Sequence, residues 1–582
     1  MRFIIITVVF LCFMARQSPA AVSTDVQLEV SNGQLGATLL RPDGSGPWPV
    51  VLILAGSGLT DRDGNTPNIP GKNNSLRQLA EGLARQGVAS LRTDKRGVAG
   101  SQSAALSEKN LRFNHFINDA VQWVFWLQND SRFSSVSIAG HSQGAQVGMS
   151  AAWLSGADGF VSLAGSGRPI LEVLREQLHD SLNIRSRVKA NALLEELEAG
   201  RLVPDPPTEL TILFRPSVQE FLISWQHQNP QQSLGRLSCP VTIIQGLNDL
   251  QVSETDARLL HEAKPGATLL LLPGVNHIFK PVEGDNPVVH QMALANPDLV
   301  FSQDAIDAVV SLTVQADIFH QQWNAALDRV EKYNADRWSN EDYLPDDDPT
   351  QPIGPKISNR AVNREKGTTS YLFGLAEGGY VTEGRLLTGG NDDCVSFRYR
   401  CTELARAQTK RENYSWALRT RFAGAAIGSI VGPDGRVDYD SPEHLDFSLD
   451  MIRSGIWGRD VSAAVGEVQA DAIGTSRYPA GSFSWIPAEK LDQARLKQGD
   501  IVWFVLNPEN KKARKLRDEY GLVVGHIGVM AKCGNDDQLC LLHAASSDLS
   551  GQYEGGQVVS VDLSIYLERV ERYAGVFVTR LE

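Results

Sequence analysis

Residues 140–144 read Gly-His-Ser-Gln-Gly, a Gly-x-Ser-x-Gly pattern that could make Ser142 a nucleophile. An apolar run at 136–139 precedes the pattern, and a helical pattern at 145–154 follows it. A sharp turn between a strand and a helix exposes a serine hydroxyl, and the flanking glycines let the two elements approach closely. The alternative is an ordinary glycine-rich turn. The flanking strand and helix patterns favour the nucleophile.

A serine nucleophile needs a base, and the base needs a carboxylate that orients it. Asp249 follows a strand pattern at 241–244, and His277 follows a strand pattern at 268–272. Side chains just past the carboxyl ends of such strands can converge on Ser142. The alternatives are a loop cap for Asp249 and a satisfied surface histidine for His277. We predict that Ser142, Asp249 and His277 form a catalytic triad.

Acyl transfer also needs two backbone donors for the negative charge that develops on the carbonyl oxygen. The N–H of Gln143, directly after the nucleophile, is one candidate. The second should come from residues 55–58, which follow the apolar strand pattern at 50–54. We predict that Ser57 supplies it, so that Ser57 and Gln143 form the oxyanion hole.

A second set of reactive side chains lies in the last third of the chain. Cys394 begins a helical pattern, and a thiolate in the first turn of a helix is stabilised by the N–H groups there. His526 opens a strand pattern and His543 closes the next one, so we predict His526 as the base and His543 as its orienting partner. Cys401, two turns after Cys394, is predicted to be core. The acidic pair 392–393 would oppose thiolate formation.

The first half of the chain alternates strand and helix patterns, which predicts a mostly parallel sheet covered on both faces. Its first two strand patterns flank Asn32-Gly33 and predict an antiparallel hairpin. Residues 167–237 interrupt the alternation with helical patterns. We predict a lid over the carboxyl edge of the sheet, the alternative being a peripheral helical decoration. The strand patterns lie at 26–30, 35–39, 50–54, 88–91, 136–139, 160–163, 241–244 and 268–272.

The composition changes over residues 318–356, where an acidic run and several prolines predict a linker. After it, the helical pattern that starts at Cys394 precedes a series of short strand patterns. This arrangement predicts a helix packed on an antiparallel sheet, an α+β domain. The strand patterns lie at 501–505, 526–530, 539–543, 558–561 and 575–578.

With 582 residues the chain is too long for one ordinary core, and its formal net charge of −13 argues against a general nucleic-acid binder. Residues 1–21 combine Arg2, an apolar run at 3–14 and the small residues Ser18-Pro19-Ala20, as a secretory signal peptide does. The alternative is an N-terminal membrane anchor. We expect an exported protein, periplasmic or secreted, with no stable membrane insertion once the signal is removed.

The remaining cysteines bear on compartment and cofactors. Cys533 and Cys540 flank a turn-like stretch and either close a disulfide or remain free thiols. Cys239 is predicted to be a small buried residue. No set of cysteines and histidines has zinc-ligand spacing, so the sequence predicts no metal and no cofactor.

Several segments of the first half match a known family. They are 56–65 (Gly-Ser-Gly-Leu-Thr-Asp-Arg-Asp-Gly-Asn), 94–97 (Asp-Lys-Arg-Gly), the 140–144 pattern and 215–219 (Arg-Pro-Ser-Val-Gln). With them, residues 25–317 resemble the bacterial α/β-hydrolases of the serine-aminopeptidase-like esterase group. The chain departs from many relatives at Ala55, where they have His, and at 97–100, where Gly-x-Gly is usual. The resemblance implies hydrolysis of acyl esters more than cleavage of peptides.

A second resemblance covers residues 357–582. The matching segments are 393–394 (Asp-Cys), 499–501 (Gly-Asp-Ile), 525–528 (Gly-His-Ile-Gly), 543–546 (His-Ala-Ala-Ser), Tyr380, 445–447 and 486–487. They resemble the NlpC-type, papain-like cell-wall hydrolases, especially an N-acetylmuramoyl-L-alanine amidase-like subgroup. The resemblance implies that Cys394 cleaves amide bonds in peptidoglycan stem peptides or at their lactyl junction, with Tyr380 bordering the substrate. An inactive, degenerate domain is the alternative.

The sequence thus predicts an exported, two-domain hydrolase. An α/β-hydrolase domain at 22–317, with its lid at 167–237, would act on acyl esters. After the linker, an α+β, papain-like domain at 357–582 would act on peptidoglycan fragments. One rival hypothesis makes the second domain a wall-binding module that tethers the first. Another makes the first domain a serine peptidase.

Overall fold

A computed structural model describes residues 21–67, 69–337, 351–366, 369–445, 449–470, 484–533 and 538–581. The predicted signal peptide, apart from Ala21, lies outside these residues. The chain divides into two compact units, one of residues 1–234 with 240–318 and one of 235–239 with 319–582. Within the described ranges, no helix is both long enough and apolar enough to cross a membrane.

The first unit is built on a twisted sheet with the strand order β1-β2-β4-β3-β5-β6-β7-β8. The strands β1 and β2 form the antiparallel hairpin predicted around Asn32-Gly33, and from β4 onward neighbouring strands are parallel. The strands are β1 Val22–Val30, β2 Gly33–Arg41, β3 Trp48–Leu54, β4 Ala89–Thr93, β5 Phe133–His141, β6 Gly159–Leu163, β7 Val241–Gly246 and β8 Thr268–Leu272. Parallel strands buried on both faces read as continuous apolar runs, which is why β3 could be predicted.

Helices cover both faces of this sheet. On one face, Leu79 and Leu83 of α1 pack with Val51 of β3 and with Ile306 of the long helix α11. Each such leucine contributes roughly 1.5–3 kcal/mol of hydrophobic stabilisation when fully buried. The helices outside the predicted lid are α1 Ser75–Arg85, α2 Phe113–Gln128, α3 Gln143–Ser155, α9 Glu254–Ala263, α10 Pro287–Ala293 and α11 Gln303–Tyr333.

The stretch between β6 and β7 is helical, as its sequence pattern predicts. Pro216 occupies the first turn of its helix, where a missing N–H costs nothing. The helices are α4 Ile170–Ser181, α5 Ile184–Glu198, α6 Thr211–Phe214, α7 Pro216–Gln226 and α8 Pro230–Gly235.

The second unit is an α+β structure whose sheet has the order β10-β9-β17-β16-β15-β14-β18-β13-β12, with β11 paired to β18. The strands from β17 to β13 pair antiparallel. They are β9 Ser370–Tyr371, β10 Asn391–Asp392, β11 Arg459–Asp460, β12 Gln469–Ala470, β13 Ser484–Pro487, β14 Ile501–Leu506, β15 Val524–Lys532, β16 Leu539–Ala545, β17 Gln557–Val561 and β18 Tyr573–Arg580.

The helix that begins at Cys394 packs against β15, and Phe397 and Cys401 enter a buried cluster with Val529. Cys401 is therefore core, as predicted. The helices of this unit are α12 Ile353–Lys366, α13 Tyr380–Glu383, α14 Cys394–Arg406, α15 Lys410–Arg421, α16 Ile427–Ile430, α17 Leu449–Arg453, α18 Ser462–Val465, α19 Lys511–Tyr520 and α20 Leu563–Arg569.

The predicted linker at 318–356 is wrong at both of its ends. The helix α11 continues to Tyr333, because Ala326, Leu327 and Val330 extend its apolar stripe into a buried cluster. The helix α12 begins at Ile353. The middle of the predicted linker, residues 338–350, lies outside the described residues.

The structure defines the state of Cys533, Cys540 and Cys239. Cys533 and Cys540 form a disulfide, with their Cα atoms 5.9 Å apart. Cys239 is buried, as predicted.

Candidate active sites

Ser142 lies in the turn between β5 and α3 with φ +54° and ψ −118°. A residue with a side chain adopts this left-handed region at a cost of roughly 1–3 kcal/mol, and such strain concentrates at functional sites. The flanking glycines make the turn possible. A Cβ on Gly140 would overlap the Gly144 carbonyl, and one on Gly144 would overlap the Leu54 carbonyl. The turn is therefore a strained one that presents Ser142 at the sheet edge.

The predicted acid and base are paired. Oδ2 of Asp249 lies 2.7 Å from Nδ1 of His277. The N–H groups of Gln251 and Val252 donate to Oδ1 of Asp249 at 2.7 and 3.1 Å. Burial opposes ionisation of the carboxyl, but His277 and these donors prevail and hold the pKa of Asp249 below its ordinary value. The carboxylate thus fixes the Nδ1–H tautomer and leaves Nε2 of His277 to take a proton.

His277 is also anchored beside the nucleophile. Nε2 of His141, the residue before Ser142, lies 2.8 Å from the backbone carbonyl oxygen of His277. Burial and the nearby His277 lower the pKa of His141 to about 3. His141 is therefore neutral at physiological pH, and its Nε2–H donates to that carbonyl. The base is held through its backbone as well as through its ring.

The predicted oxyanion donors lie at the same place. A Cβ on Gly56 would stand 3.5 Å from the Cβ of Ser142, so the loop after β3 packs directly against the nucleophile. Ser57 and Gln143 both line the cleft that contains Ser142. Among the hydrogen bonds of the described residues, none uses the backbone N–H of Ser57 or of Gln143. Both groups are available to a developing oxyanion.

The cleft at Ser142 has a volume of about 640 Å³ and is walled by lid helices. Its apolar lining includes Phe116, Ile170, Val173, Phe221, Leu222 and Trp225. The charged side chains on its wall are largely neutralised: Arg96 is bound by Asp119, and Glu108 is bound by Arg215. The segment 167–237 therefore encloses the cleft rather than decorating the periphery.

The segments that carry the family resemblance hold this cleft together. Arg62 donates from Nε and Nη2 to Asp94, and Arg96 donates from Nε and Nη2 to Asp119. Bidentate pairs of this kind fix geometry as well as charge. Within the lid, Arg215 pairs with Glu108 at the cleft wall. These motifs are structural supports of the site.

Three residues at the site were not assigned a role from the sequence. Lys95 lies in segment 94–97 and His141 in segment 140–144, whereas Glu108 lies in none of the motifs. Adjacency to Ser142 was the available signal for His141. The role of Glu108 depends on Arg215, 107 positions away in the chain, and no local pattern reveals such a pair.

No protein-family model matches the chain. The N-terminal half is similar to Esterase EstD of Thermotoga maritima, with 30% identity over 278 residues. The alignment covers 46% of this chain and 64% of the esterase, which is less than two thirds of that protein.

The chain is similar to Est1E from Butyrivibrio proteoclasticus (15% identity, 50% of this chain and 98% of that one, TM-score 0.33). It is similar to dienelactone hydrolase from Anabaena variabilis (18%, 50% and 98%, TM-score 0.30). It is also similar to mouse alpha/beta hydrolase domain-containing protein 10 (16%, 50% and 98%, TM-score 0.33).

The strand order of the first sheet, with a strained serine directly after β5, decides the architecture. The first unit has an α/β-hydrolase fold. The acid follows β7 and the base follows β8, which is the order of triad residues along the chain in that fold.

In the second unit, Cys394 is the first residue of α14, and Asp393 caps that helix. Oδ1 of Asp393 accepts hydrogen bonds from the N–H groups of Val395 and Ser396 at 3.0 and 2.8 Å. The backbone N–H of Ile527, on β15, is among the groups that favour the Cys394 thiolate. Because Ile527 follows His526, the thiol lies next to the strand position of the predicted base.

His526 and His543 occupy neighbouring strands and contact each other. Nε2 of His526 lies 2.8 Å from Nδ1 of His543, and the two rings are nearly perpendicular, at 89°. This contact leaves Nδ1 of His526 as the ring nitrogen available to Cys394. Both rings are buried among aromatic side chains, including Tyr566 at 4.8 Å from the His543 ring centroid. The structure therefore brings the predicted base and its partner together.

The electrostatics of this site differ from the sequence expectation. Burial and then the charge of Asp393 raise the pKa of the Cys394 thiol to about 12, although backbone N–H groups and Arg398 oppose the rise. Burial, the charge of His543 and then that of Arg572 lower the pKa of His526. The expected stabilisation of a thiolate by the helix N-terminus does not prevail, since burial of the thiol and the charge of Asp393 outweigh it. The resting pair is a neutral thiol and a neutral imidazole.

The other acidic neighbour behaves differently from what the sequence suggests. Asp392 forms a buried ion pair with Arg364, and among the acidic neighbours it is Asp393 that raises the Cys394 pKa most. Tyr380, predicted to border the substrate, packs its ring over Gly374, whose N–H donates to Oδ2 of Asp393. Tyr380 is only 7% exposed. Tyr380 therefore packs against the backbone segment that binds Asp393, the cap of α14.

Proposed function

We propose that the first unit is a serine esterase for uncharged esters with an apolar acyl group. The observation that carries this is the Asp249–His277 pair anchored beside the strained Ser142 in an apolar cleft. The similarity to Esterase EstD supports it.

In the proposed reaction, Oγ of Ser142 attacks the ester carbonyl carbon while Nε2 of His277 takes the hydroxyl proton. The N–H groups of Ser57 and Gln143 stabilise the oxyanion. Collapse of the tetrahedral intermediate breaks the bond to the alcohol oxygen, which receives the proton from His277. Water then attacks the acyl-enzyme by the same route, which releases the carboxylic acid and restores Ser142.

The charges of the cleft argue against the peptidase alternative. An aminopeptidase must bind the substrate's α-ammonium group, and an ammonium calls for a free carboxylate. Glu108 lines the cleft, but it already accepts hydrogen bonds from Arg215 and Ser217. Apolar side chains offer an acyl chain hydrophobic burial of about 0.8 kcal/mol per methylene instead.

The test is a chain-length series of p-nitrophenyl esters beside aminoacyl p-nitroanilides. We expect kcat/KM to rise from acetate to hexanoate and the anilides to be poor substrates. Ser142→Ala should lower kcat at least about 10⁴-fold. Ser150→Ala, on the same helix but outside the cleft, is the matched control and should retain activity. Higher activity on the anilides would refute the esterase assignment.

For the second unit we propose a cysteine amidase that cleaves peptide amides of cell-wall peptidoglycan. The contact between His526 and His543, on strands beside the Cys394 helix, supports a nucleophile, a base and an orienting group. Sulfur of Cys394 would attack the amide carbonyl and His526 would pass the thiol proton to the leaving amine. Water would then hydrolyse the thioester.

A binding module remains the competing function for this unit, and the raised pKa of Cys394 favours it. An assay with purified peptidoglycan distinguishes an amidase from a binding module. An amidase releases new amines from the wall with wild type but not with Cys394→Ala, and Cys401→Ala serves as a matched cysteine control. Equal wall binding and no amine release by wild type and both variants would make the unit a binder.

The proposed location is outside the cytoplasm, in the periplasm or the medium. The signal-like residues 1–21 and the Cys533–Cys540 disulfide support it, because disulfides persist in oxidising compartments. In a host with a secretion system, removal of residues 2–21 should leave the protein in the cytosol. Export of that variant would refute the signal.

A further inference from the structure

The peptide that joins Gly56 to Ser57 has a hydrogen bond on the side opposite its N–H. Nζ of Lys95 donates to the carbonyl oxygen of Gly56. In a planar trans peptide the C=O and N–H bonds point in opposite directions. A group that holds the Gly56 carbonyl therefore sets the direction of the Ser57 N–H, the second donor of the proposed oxyanion hole.

We propose that Lys95 is a positioning residue for this oxyanion hole, holding the Gly56–Ser57 peptide and polarising its N–H. The proposal rests on the proposed esterase function. A charge-assisted bond to a carbonyl is stronger than a neutral one. Hydrogen bonds in series also polarise one another, so a cation on the C=O makes the N–H of the same peptide a better donor.

The surroundings of this loop explain why it needs such support. Gly56 packs against the ring of His141 and the Cβ of Ser142, since a Cβ added to Gly56 would stand 3.1 Å from Nδ1 of His141. The next peptide is held separately, because Oγ1 of Thr60 donates to the carbonyl of Ser57 at 2.7 Å. Within the described residues, Lys95 is the side chain that binds the carbonyl of Gly56.

The acids around Lys95 are already engaged by arginines. Asp94 is bound by Arg62, Asp119 by Arg96 and Glu108 by Arg215. His141, which also faces this region, is neutral because burial and the charge of His277 lower its pKa. Among the described residues, Lys95 forms no ion pair, so its charge acts on the peptide.

Lys95 borders two spaces. It lines the cleft at Ser142 and a small cavity of about 30 Å³, and Gln143 lines both as well. Burial lowers the pKa of Lys95 to about 7. The amine is protonated below this pH and loses its charge above it, so its support of the peptide is strongest below pH 7.

The test compares Lys95→Met, Lys95→Gln and Lys95→Arg in the full-length protein with p-nitrophenyl butyrate. We expect Lys95→Met to lower kcat about ten- to a hundredfold with KM changed less than about twofold, since the oxyanion forms only in the transition state. Lys95→Arg should recover part of the loss. The exposed Lys72→Met, which removes the same charge elsewhere, should retain full activity.

Two further readouts separate positioning from a folding defect. Inhibition by a trifluoromethyl ketone, which forms an oxyanion with Ser142, should weaken in parallel with kcat/KM across the variants. The ratio of wild-type to Lys95→Met kcat should fall as the pH rises from 6 to 9. Unchanged kcat, or inhibition that does not follow it, overturns the role of Lys95. Retained activity in Ser142→Ala overturns instead the proposed function.

Discussion

Nε2 of His141 donates to the backbone carbonyl of His277 across 2.8 Å, so the residue before the nucleophile holds the base in place. This bond joins the turn after β5 to the loop after β8. It does not titrate near neutral pH, because the pKa of His141 is lowered to about 3. The distance between nucleophile and base therefore depends on a bond that is constant with pH.

His141→Leu should lower kcat about tenfold, because a lost hydrogen bond of about 1 kcal/mol lets His277 drift from its reactive position. The pH optimum should not change. His290→Leu is the matched control: Nε2 of His290 contacts the carbonyl of Gly284 at 3.1 Å, away from the cleft. Steady-state kinetics with p-nitrophenyl butyrate measure both. An equal loss of kcat in the two variants would mean that removing any such histidine–carbonyl hydrogen bond lowers activity, which would contradict a specific role for His141.

Asp249→Asn should lower kcat about 10⁴-fold, since an amide favours the wrong tautomer of His277. The variant should also change acid stability. The folded-state pKa of Asp249 lies below its ordinary value of 3.8, so its stabilisation is present above pH 3.8 and is lost as the pH falls through the lower folded-state pKa. Urea melts at pH 6 and pH 3 measure this.

The stability difference between wild type and Asp249→Asn should accordingly shrink toward pH 3. Asp43→Asn offers a control, because Asp43 is exposed and, among the described residues, its side chain accepts only from the N–H of Gly44, so its stability should differ little from wild type at either pH. A constant difference for Asp249→Asn from pH 6 to pH 3 would contradict the shifted pKa.

Cys394 should react slowly with iodoacetamide at pH 7, because only the thiolate reacts and the pKa of Cys394 is raised to about 12. Asp393→Asn keeps a side-chain oxygen for the helix cap but removes the charge. We expect it to speed alkylation about tenfold, the effect of a one-unit fall in pKa. Peptide mapping by mass spectrometry follows the modification.

Asp562→Asn is the control for the cap itself, since Asp562 accepts from Ser564 and Ile565 at the start of α20 in the same way. It should leave alkylation of Cys394 unchanged. Rapid alkylation of wild type at pH 7 would mean that the thiol is ionised at rest, contrary to the geometry of its cap.

Glu403→Gln should destabilise the second unit by about 3–5 kcal/mol, because it leaves a buried guanidinium without its charge partner. Glu403 and Arg421 are each 1% exposed in their side chains, and Arg421 donates to both carboxylate oxygens. Glu467→Gln, which breaks an exposed pair with Lys490, should change stability by less than about 1 kcal/mol. Denaturant unfolding measures the free energy of unfolding of both variants. Similar decreases would contradict the expected larger contribution of the buried Glu403–Arg421 pair.

Local pattern was enough to predict most elements of the first unit. Continuous apolar runs such as β3 identify buried parallel strands. Ser142, Asp249 and His277 could be predicted to converge because each follows a strand, and the carboxyl ends of parallel strands meet at one edge of a sheet. The predicted start of the linker was wrong because the charge and proline content near 346–355 was given more weight than the helical spacing of Ala326 and Val330.

The rest of the site depends on contacts that no local pattern contains. Lys95 reaches Gly56, 39 positions earlier, and the direction of that bond requires the folded loop. The sequence predicts opposing effects on the Cys394 thiolate, from the helix N-terminus and from the acidic pair 392–393, and the pKa rises because burial of the thiol adds to the effect of Asp393. Desolvation is a property of the packed structure, and a sequence motif does not carry it.

The ion pair between Glu108 and Arg215 bears on how molecules enter and leave the cleft. It joins the short 3₁₀ turn Glu108–Asn110 to the start of α7, with Ser217 binding the same carboxylate. Displacing this part of the lid separates two charges at the water interface, where dissolved salt screens their attraction. If the first unit hydrolyses esters as proposed, we expect added salt to speed ester entry and product exit, while the covalent steps at Ser142, in the apolar cleft, should change little.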